Sequence, residues 1–184
     1  MVAEIAWIDV ETNGADTREG CQLLQLAIIL TDLQFNEIDV LEAKFYYTPK
    51  ESEVLRDNAI DYVKQMHDAT GLWAQISDKD TTVSQTEFDE KLLAWMIAYQ
   101  PESEKLYFGG NSINLDREFM REFLPKSYAH LSYRSMDMTS IELFLVGTDN
   151  RLKYTKKLTH EALDDIRESL AQARYHRDLS KVPF

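Results

Sequence analysis

The 184-residue sequence predicts an α/β domain with a mixed central sheet flanked by helices. Three observations point there. Short apolar runs of strand length fill the N-terminal quarter, with turn residues between them. Further along, apolar residues recur at three- and four-residue spacing, as on helices with one buried side. Short apolar segments lie between those helical stretches. Strands first, then strands alternating with helices, give a sheet with both antiparallel and parallel pairs.

Residues 4–10, Glu-Ile-Ala-Trp-Ile-Asp-Val, read as a buried strand, and residues 12–20 as a loop by their composition. Residues 22–31 form a second apolar run and 38–47 a third with β-branched and aromatic residues, so the start of the chain predicts a hairpin or meander. Helices are expected over 51–66 and 86–99, the second opening at Thr86-Glu87-Phe88-Asp89. Leu106-Tyr107-Phe108, followed by Gly109-Gly110, predicts a short strand. Residues 114–124 read as a helix closed by Pro125, 133–138 as a short strand and 139–145 as a helix. Residues 147–159 are a polar loop carrying Lys153, Lys156 and Lys157, and the last helix is expected over about 160–177. The length corresponds to one domain over residues 1–184, with no internal repeat.

Twenty basic against thirty-two acidic residues give a net charge of −12. That excludes non-specific capture of long DNA or RNA as the main binding mode. It leaves room for nucleic acid held through divalent ions, which neutralise clustered carboxylates and present positive charge to a phosphate. The single cysteine, Cys21, excludes an intramolecular disulfide and a cysteine-rich zinc site. The N-terminal residues lack the pattern of a leader, and no apolar run reaches the ~20 residues of a membrane span. A soluble, cytoplasmic protein is expected.

Several acidic residues occupy apolar settings. Asp9 and Glu11 lie two apart at the end of the first strand, so they share a face with Ile5 and Trp7. Two carboxylates there repel each other, and a divalent cation compensates such a pair. At about 100° per residue, Asp116 falls inside the apolar arc of Leu115, Phe119, Phe123 and Met120, while Arg117, Glu118, Arg121 and Glu122 fall on the wet face. In the last helix Leu163, Ile166, Leu170 and Ala173 form the buried stripe, and Asp165 faces inward better than Asp164. His160 precedes that inward carboxylate at the element's start. Three or four carboxylates on separate elements plus one histidine are the composition of two-metal phosphodiester hydrolysis. An imidazole with a pKa near ~6.5 suits the deprotonation of water.

Four segments also resemble a known family in order. Trp7-Ile8-Asp9-Val10-Glu11-Thr12-Asn13-Gly14, Gly110-Asn111-Ser112-Ile113-Asn114-Leu115-Asp116-Arg117-Glu118-Phe119, Tyr133-Arg134-Ser135-Met136-Asp137-Met138-Thr139-Ser140-Ile141 and His160-Glu161-Ala162-Leu163-Asp164-Asp165-Ile166-Arg167-Glu168-Ser169 are similar to the motifs of the oligoribonuclease family. This family belongs to the DEDDh group of 3′-to-5′ exonucleases. The resemblance covers nearly the whole chain. It implies a ribonuclease H-like fold, two Mg²⁺ or Mn²⁺ ions held by Asp9, Glu11, Asp116 and Asp165, and His160 as general base. It also implies short single-stranded RNA as substrate and a homodimer in which Tyr133 reaches into the partner's site.

The resemblance assigns substrate contacts to Tyr62, His67, Asn111, Ser112, Tyr133 and Arg134, with Tyr62 standing where the family has a tryptophan. Ala15 replaces a leucine that wedges against substrate bases, and Gln25 replaces a common glutamate. With Ala15, some activity on RNA longer than a dinucleotide is expected. Two other readings share the motifs: a DEDDh DNA exonuclease of repair or proofreading type, and a non-catalytic module that binds short nucleotides. The segment from Tyr62 to Leu72 and the pair Tyr133-Arg134 favour the oligoribonuclease branch over the first. The complete set of site residues speaks against the second.

Overall fold

The computed structural model describes residues 2–101, 103–147, 149, 152–155 and 161–179. Strands β1 (Ile5–Thr12), β2 (Leu23–Thr31) and β3 (Glu37–Lys44) form an antiparallel meander. Helices α1 (Pro49–Asn58), α2 (Asp61–Thr70), α3 (Leu72–Gln75) and α4 (Gln85–Tyr99) follow. Strand β4 (Leu106–Gly110) runs parallel to β1. After α5 (Asn114–Phe123) and α6 (Pro125–Ala129), β5 (Leu131–Asp137) runs parallel to β4. Helices α7 (Met138–Val146) and α8 (Ala162–Leu179) complete the fold. The strand order is β3-β2-β1-β4-β5, the mixed sheet that the sequence predicts.

The alternation of β1 builds both sides of the core. Ala6, Ile8 and Val10 join Leu26, Ile28 and Phe108 under Phe88, Leu92 and Met96 of α4 and Phe119 and Met120 of α5. Ile5 and Trp7 face the other way, with Ala27 and Ile29, under Ala162, Ile166, Leu170 and Ala173 of α8. Gly109 is required where β4 crosses this layer, because a Cβ there would lie 2.8 Å from Trp7 Cδ2 and 2.9 Å from Ile5 Cγ2.

Two expected helix boundaries differ. The helix expected over 51–66 divides at Ala59 and Ile60, both extended at ψ near 155°. Nothing in the local sequence breaks the periodicity. The break turns α2 so that His67 descends, fully buried, onto the end of β1. Pro125 does not merely close a helix but opens α6 at a position that lacks an N–H partner anyway. The next N–H groups, of Lys126 and Ser127, donate to the buried carboxylate of Asp89 on α4 at 2.9 and 2.8 Å.

Candidate active site

The carboxyl ends of β1 and β4 diverge, since their pairing stops at Trp7 and Gly109. Ligand sites of α/β sheets form where parallel strands part in this way. Beyond that point Asp9 and Glu11 continue the face of Ile5 and Trp7, and α8 covers that face with Asp165 in its first turn. Oxygens of Asp9, Glu11 and Asp165 lie within 4.8 Å of one another. Asp164, one residue earlier, is half exposed, as the phase of the helix predicts.

Asp116 enters from α5 and stands outside that tight trio. It is buried, and its Oδ1 accepts the N–H of Val10 at 3.1 Å, between the two strand carboxylates. With β4 ended, Val10 N–H would otherwise lack a ladder partner, and an unpaired buried N–H is costly. The loop leading to Asp116 is tightly held. Ser112 sits at φ 52°, in the left-handed region, with its N–H donating to Asp137 Oδ1 at 3.0 Å. Asn111 Nδ2 donates to Gln172 Oε1 of α8 at 3.0 Å.

Electrostatics follow from the crowding. Burial, then the charges of Asp165, Glu161 and Asp116, push the Glu11 carboxyl up to about 8. Burial is also the main cause that lifts Asp116 to about 7, with Asp137 adding repulsion. Carboxylates clustered at this cost fit an oxygen-only site for a hard divalent cation, whose charge would remove both penalties.

The family model for exonuclease (RNase T) matches residues 6–173. The chain belongs to the exonuclease family. An oligoribonuclease of Francisella tularensis is 33% identical over 174 residues, covering 94% of this chain and 93% of that protein. An oligoribonuclease of Leifsonia xyli is 30% identical over 97% of this chain and 84% of its own length. Among solved structures, exonuclease I of Methylocaldum szegediense superposes with a TM-score of 0.67 at 20% identity over 95% of this chain. The zinc-bound complex of E. coli exonuclease I with single-stranded DNA gives 0.65 at 13% identity over 97% of this chain. Those two likenesses concern the fold, and this chain spans only 40% and 41% of those longer exonucleases.

The remaining expected residues of this exonuclease surround the carboxylates unequally. His67 packs edge-on against Trp73, its Nε2 lies 2.9 Å from the carbonyl of Thr12, and its Nδ1 lies 3.9 Å from Glu11 Oε2. A carbonyl only accepts, so Nε2 carries a proton and Nδ1 faces the glutamate. Tyr62 is 62% exposed on α2. Ala15 is exposed on the loop after β1, a loop that Asn13 ties down by accepting from Gln22 N at 2.6 Å and donating to Leu55 O at 3.3 Å. The Ser112 hydroxyl lies 3.0 Å from that of Thr139. Tyr133 and Arg134 are exposed on β5, with the Arg134 Nε donating to the Tyr133 hydroxyl at 3.1 Å. His160, expected as general base, lies outside the described residues, as do Lys156 and Lys157.

Trp73 and Gln172 support the site without having stood out in the sequence, and Thr139, inside the third family-like segment, does so without a role assigned to it there. Each is an ordinary helix residue until its long-range partner is known. Arg117 corrects the helical phase: expected on the wet face, it is half-buried, donates to the carbonyl of Ser132 at 2.8 Å and lies over the Phe108 ring at 4.7 Å.

Proposed function

We propose that this chain is a cytoplasmic 3′-to-5′ exoribonuclease that hydrolyses oligoribonucleotides of about two to five residues to nucleoside 5′-monophosphates. The single observation that carries the reading is the meeting of Asp9, Glu11 and Asp165 within 4.8 Å at the parting of β1 and β4. Near-full-length identity of about one third to oligoribonucleases supports the choice of RNA. Two divalent ions, magnesium or manganese, held by Asp9, Glu11, Asp116 and Asp165, would supply activation of water and stabilisation of the leaving 3′ oxygen.

The chain's own residues do the rest. His160 takes the proton of the attacking water. His67, expected among the substrate contacts, is fully buried and supports the site from beneath, bracing the end of β1 beside Glu11 through the Thr12 carbonyl. Tyr62 presents an open ring on which a base stacks. Asn111 and Ser112 hold the turn before Asp116, and the exposed Ser112 hydroxyl and Arg134 guanidinium suit phosphate oxygens. A short substrate offers few phosphates, so a protein of net charge −12 needs no basic groove to hold it.

Tyr133 is 83% exposed, and serves the active site of a second subunit in this reading. Leu143 and Phe144 of the following helix are 70% and 75% exposed. Neighbouring exposed apolar side chains of this size suit contact with a second copy.

Product analysis with end-labelled ribodinucleotide, with and without Mg²⁺ or Mn²⁺, tests the reading. Matched di- and tetranucleotides of deoxyribose belong in the same assay. Metal-dependent release of mononucleotides, faster from ribose, is expected. A preference for deoxyribose would make the chain a DNA exonuclease, and binding without cleavage would make it a nucleotide-binding module.

A further inference from the structure

We infer that Arg117 is a positioning residue that presents Tyr133 to the active site of the second subunit. The inference rests on the reading of Tyr133 given above and adds the device that aims it. Between the pairs Leu106–Leu131 and Phe108–Ser135 the β4–β5 ladder loses register. There β4 spends one residue, Tyr107, while β5 spends three, Ser132, Tyr133 and Arg134. Such bulges re-aim side chains beside active sites, and they leave backbone groups without ladder partners.

Arg117 takes up two of those groups. Its Nη2 donates to the carbonyls of Ser132 at 2.8 Å and of Arg134 at 3.4 Å, the residues on either side of Tyr133. The Ser132 hydroxyl closes the bulge by accepting Arg134 N–H at 3.1 Å. The guanidinium itself is seated, 4.7 Å from the centre of the fully buried Phe108 ring. Tyr133 reaches out from this bulge with Arg134 over its ring at 5.4 Å. An exposed ring is directed by the backbone that carries it, so the group holding both flanking carbonyls sets where it points. A lysine could keep the charge, but not the flat guanidinium that lies over the Phe108 ring while its Nη2 reaches both carbonyls.

Arg117 also adjoins Asp116, so a second route of action exists, through the subunit's own carboxylate site. Mixed dimers separate the two. Arg117→Ala is combined with an excess of Asp9→Asn chains, so that intact carboxylates in one subunit receive Tyr133 from a chain that retains Arg117. Alone, Arg117→Ala should lose about tenfold in kcat/KM on a ribodinucleotide, mainly through KM, as the loss of one ring contact would. Its Mn²⁺ affinity by calorimetry should be unchanged. The mixed dimer should regain the lost activity, and Arg117→Lys should fall between Arg117→Ala and the parent.

Tyr133→Ala with the same Asp9→Asn partner is the control. Rescue of Tyr133→Ala without rescue of Arg117→Ala, or a loss of Mn²⁺ affinity in Arg117→Ala, overturns the role of Arg117 and leaves the donated tyrosine standing. Full activity of Tyr133→Ala alone removes the donated tyrosine, and the role of Arg117 with it. Should Arg117→Ala fail to fold, Ser132→Ala loosens the same bulge while sparing the guanidinium. It is expected to show a smaller KM defect with the same rescue, and an unchanged KM counts against the inference.

Discussion

The end of β1 and the middle of β5 are both places where a β-ladder fails, and α5 repairs both with consecutive residues of opposite charge. At β1 the missing partner is an acceptor, and Asp116 supplies an oxygen to Val10 N–H. At β5 the missing partners are donors, and Arg117 supplies N–H groups to two carbonyls. About 100° of helical rotation between neighbours lets one helix reach strands on either side of β4. The surroundings differ. Asp116 is buried among like charges and lifted to about 7, while the bulge of β5 carries exposed side chains. Electrostatic effects are strong where water is excluded and weak at the surface, so the two repairs are expected to serve chemistry and positioning in turn.

The largest effect is expected at the buried repair. Asp116→Asn keeps an oxygen for Val10 N–H and so should fold, yet lose at least about a hundredfold in turnover, since metal catalysis supplies several kcal/mol. Near-normal turnover with an unchanged dichroism spectrum would remove Asp116 from the site. At the exposed region, Leu143→Ser combined with Phe144→Ser should convert a particle of twice 21.4 kDa into a monomer by light scattering. Dinucleotide kcat/KM should then fall about tenfold, the size of one lost ring contact. A fully active monomer would show that β5 serves no second subunit.

A third, moderate effect concerns stability. Glu11 rises from 4.5 to about 8 and Asp116 from 3.8 to about 7, so between pH ~4 and ~8 the folded protein binds more protons than the unfolded chain. Stability from these groups is therefore full at low pH and lost as pH rises through that window. Melting in EDTA should occur several degrees lower at pH 8.5 than at pH 5, at about 2–4 °C per kcal/mol for a domain of this size. Added Mn²⁺ should raise the melting point most at the higher pH. A metal response independent of pH would mean that the ions do not relieve this repulsion. The smallest effect belongs to Ala15→Leu, which adds apolar surface beside the substrate. It should shift the ratio of dinucleotide to longer-RNA cleavage by a factor of about five, on the order of 1 kcal/mol. An unchanged ratio would place Ala15 away from the bases.

What the sequence made legible follows the same division. Asp9 and Glu11 share a face because a strand has period two, and Asp116 and Asp165 turn inward because their helices have a regular phase. All four are found at the parting of the strands. The bulge in β5 has no such period. Nothing in Leu-Ser-Tyr-Arg-Ser tells that three residues leave the ladder, so Arg117 read as an ordinary surface arginine. The break at Ala59 and Ile60 is equally silent, because it depends on where His67 must go rather than on a local breaker. Pro125 was legible as a boundary. The acid that completes the start of α6 lies thirty-six residues back in the chain, at Asp89.

β5 is an outer strand of the sheet, and outer strands invite a second chain to add by backbone pairing. The three residues that leave the ladder break the regular run of that edge along the stretch that carries Tyr133. An interrupted row of amides opposes the merging of two sheets into one. Strand addition repeated from copy to copy builds an open-ended sheet. Bulges are one of the ways in which outer strands are kept from such growth, and the irregularity of β5 is of that kind.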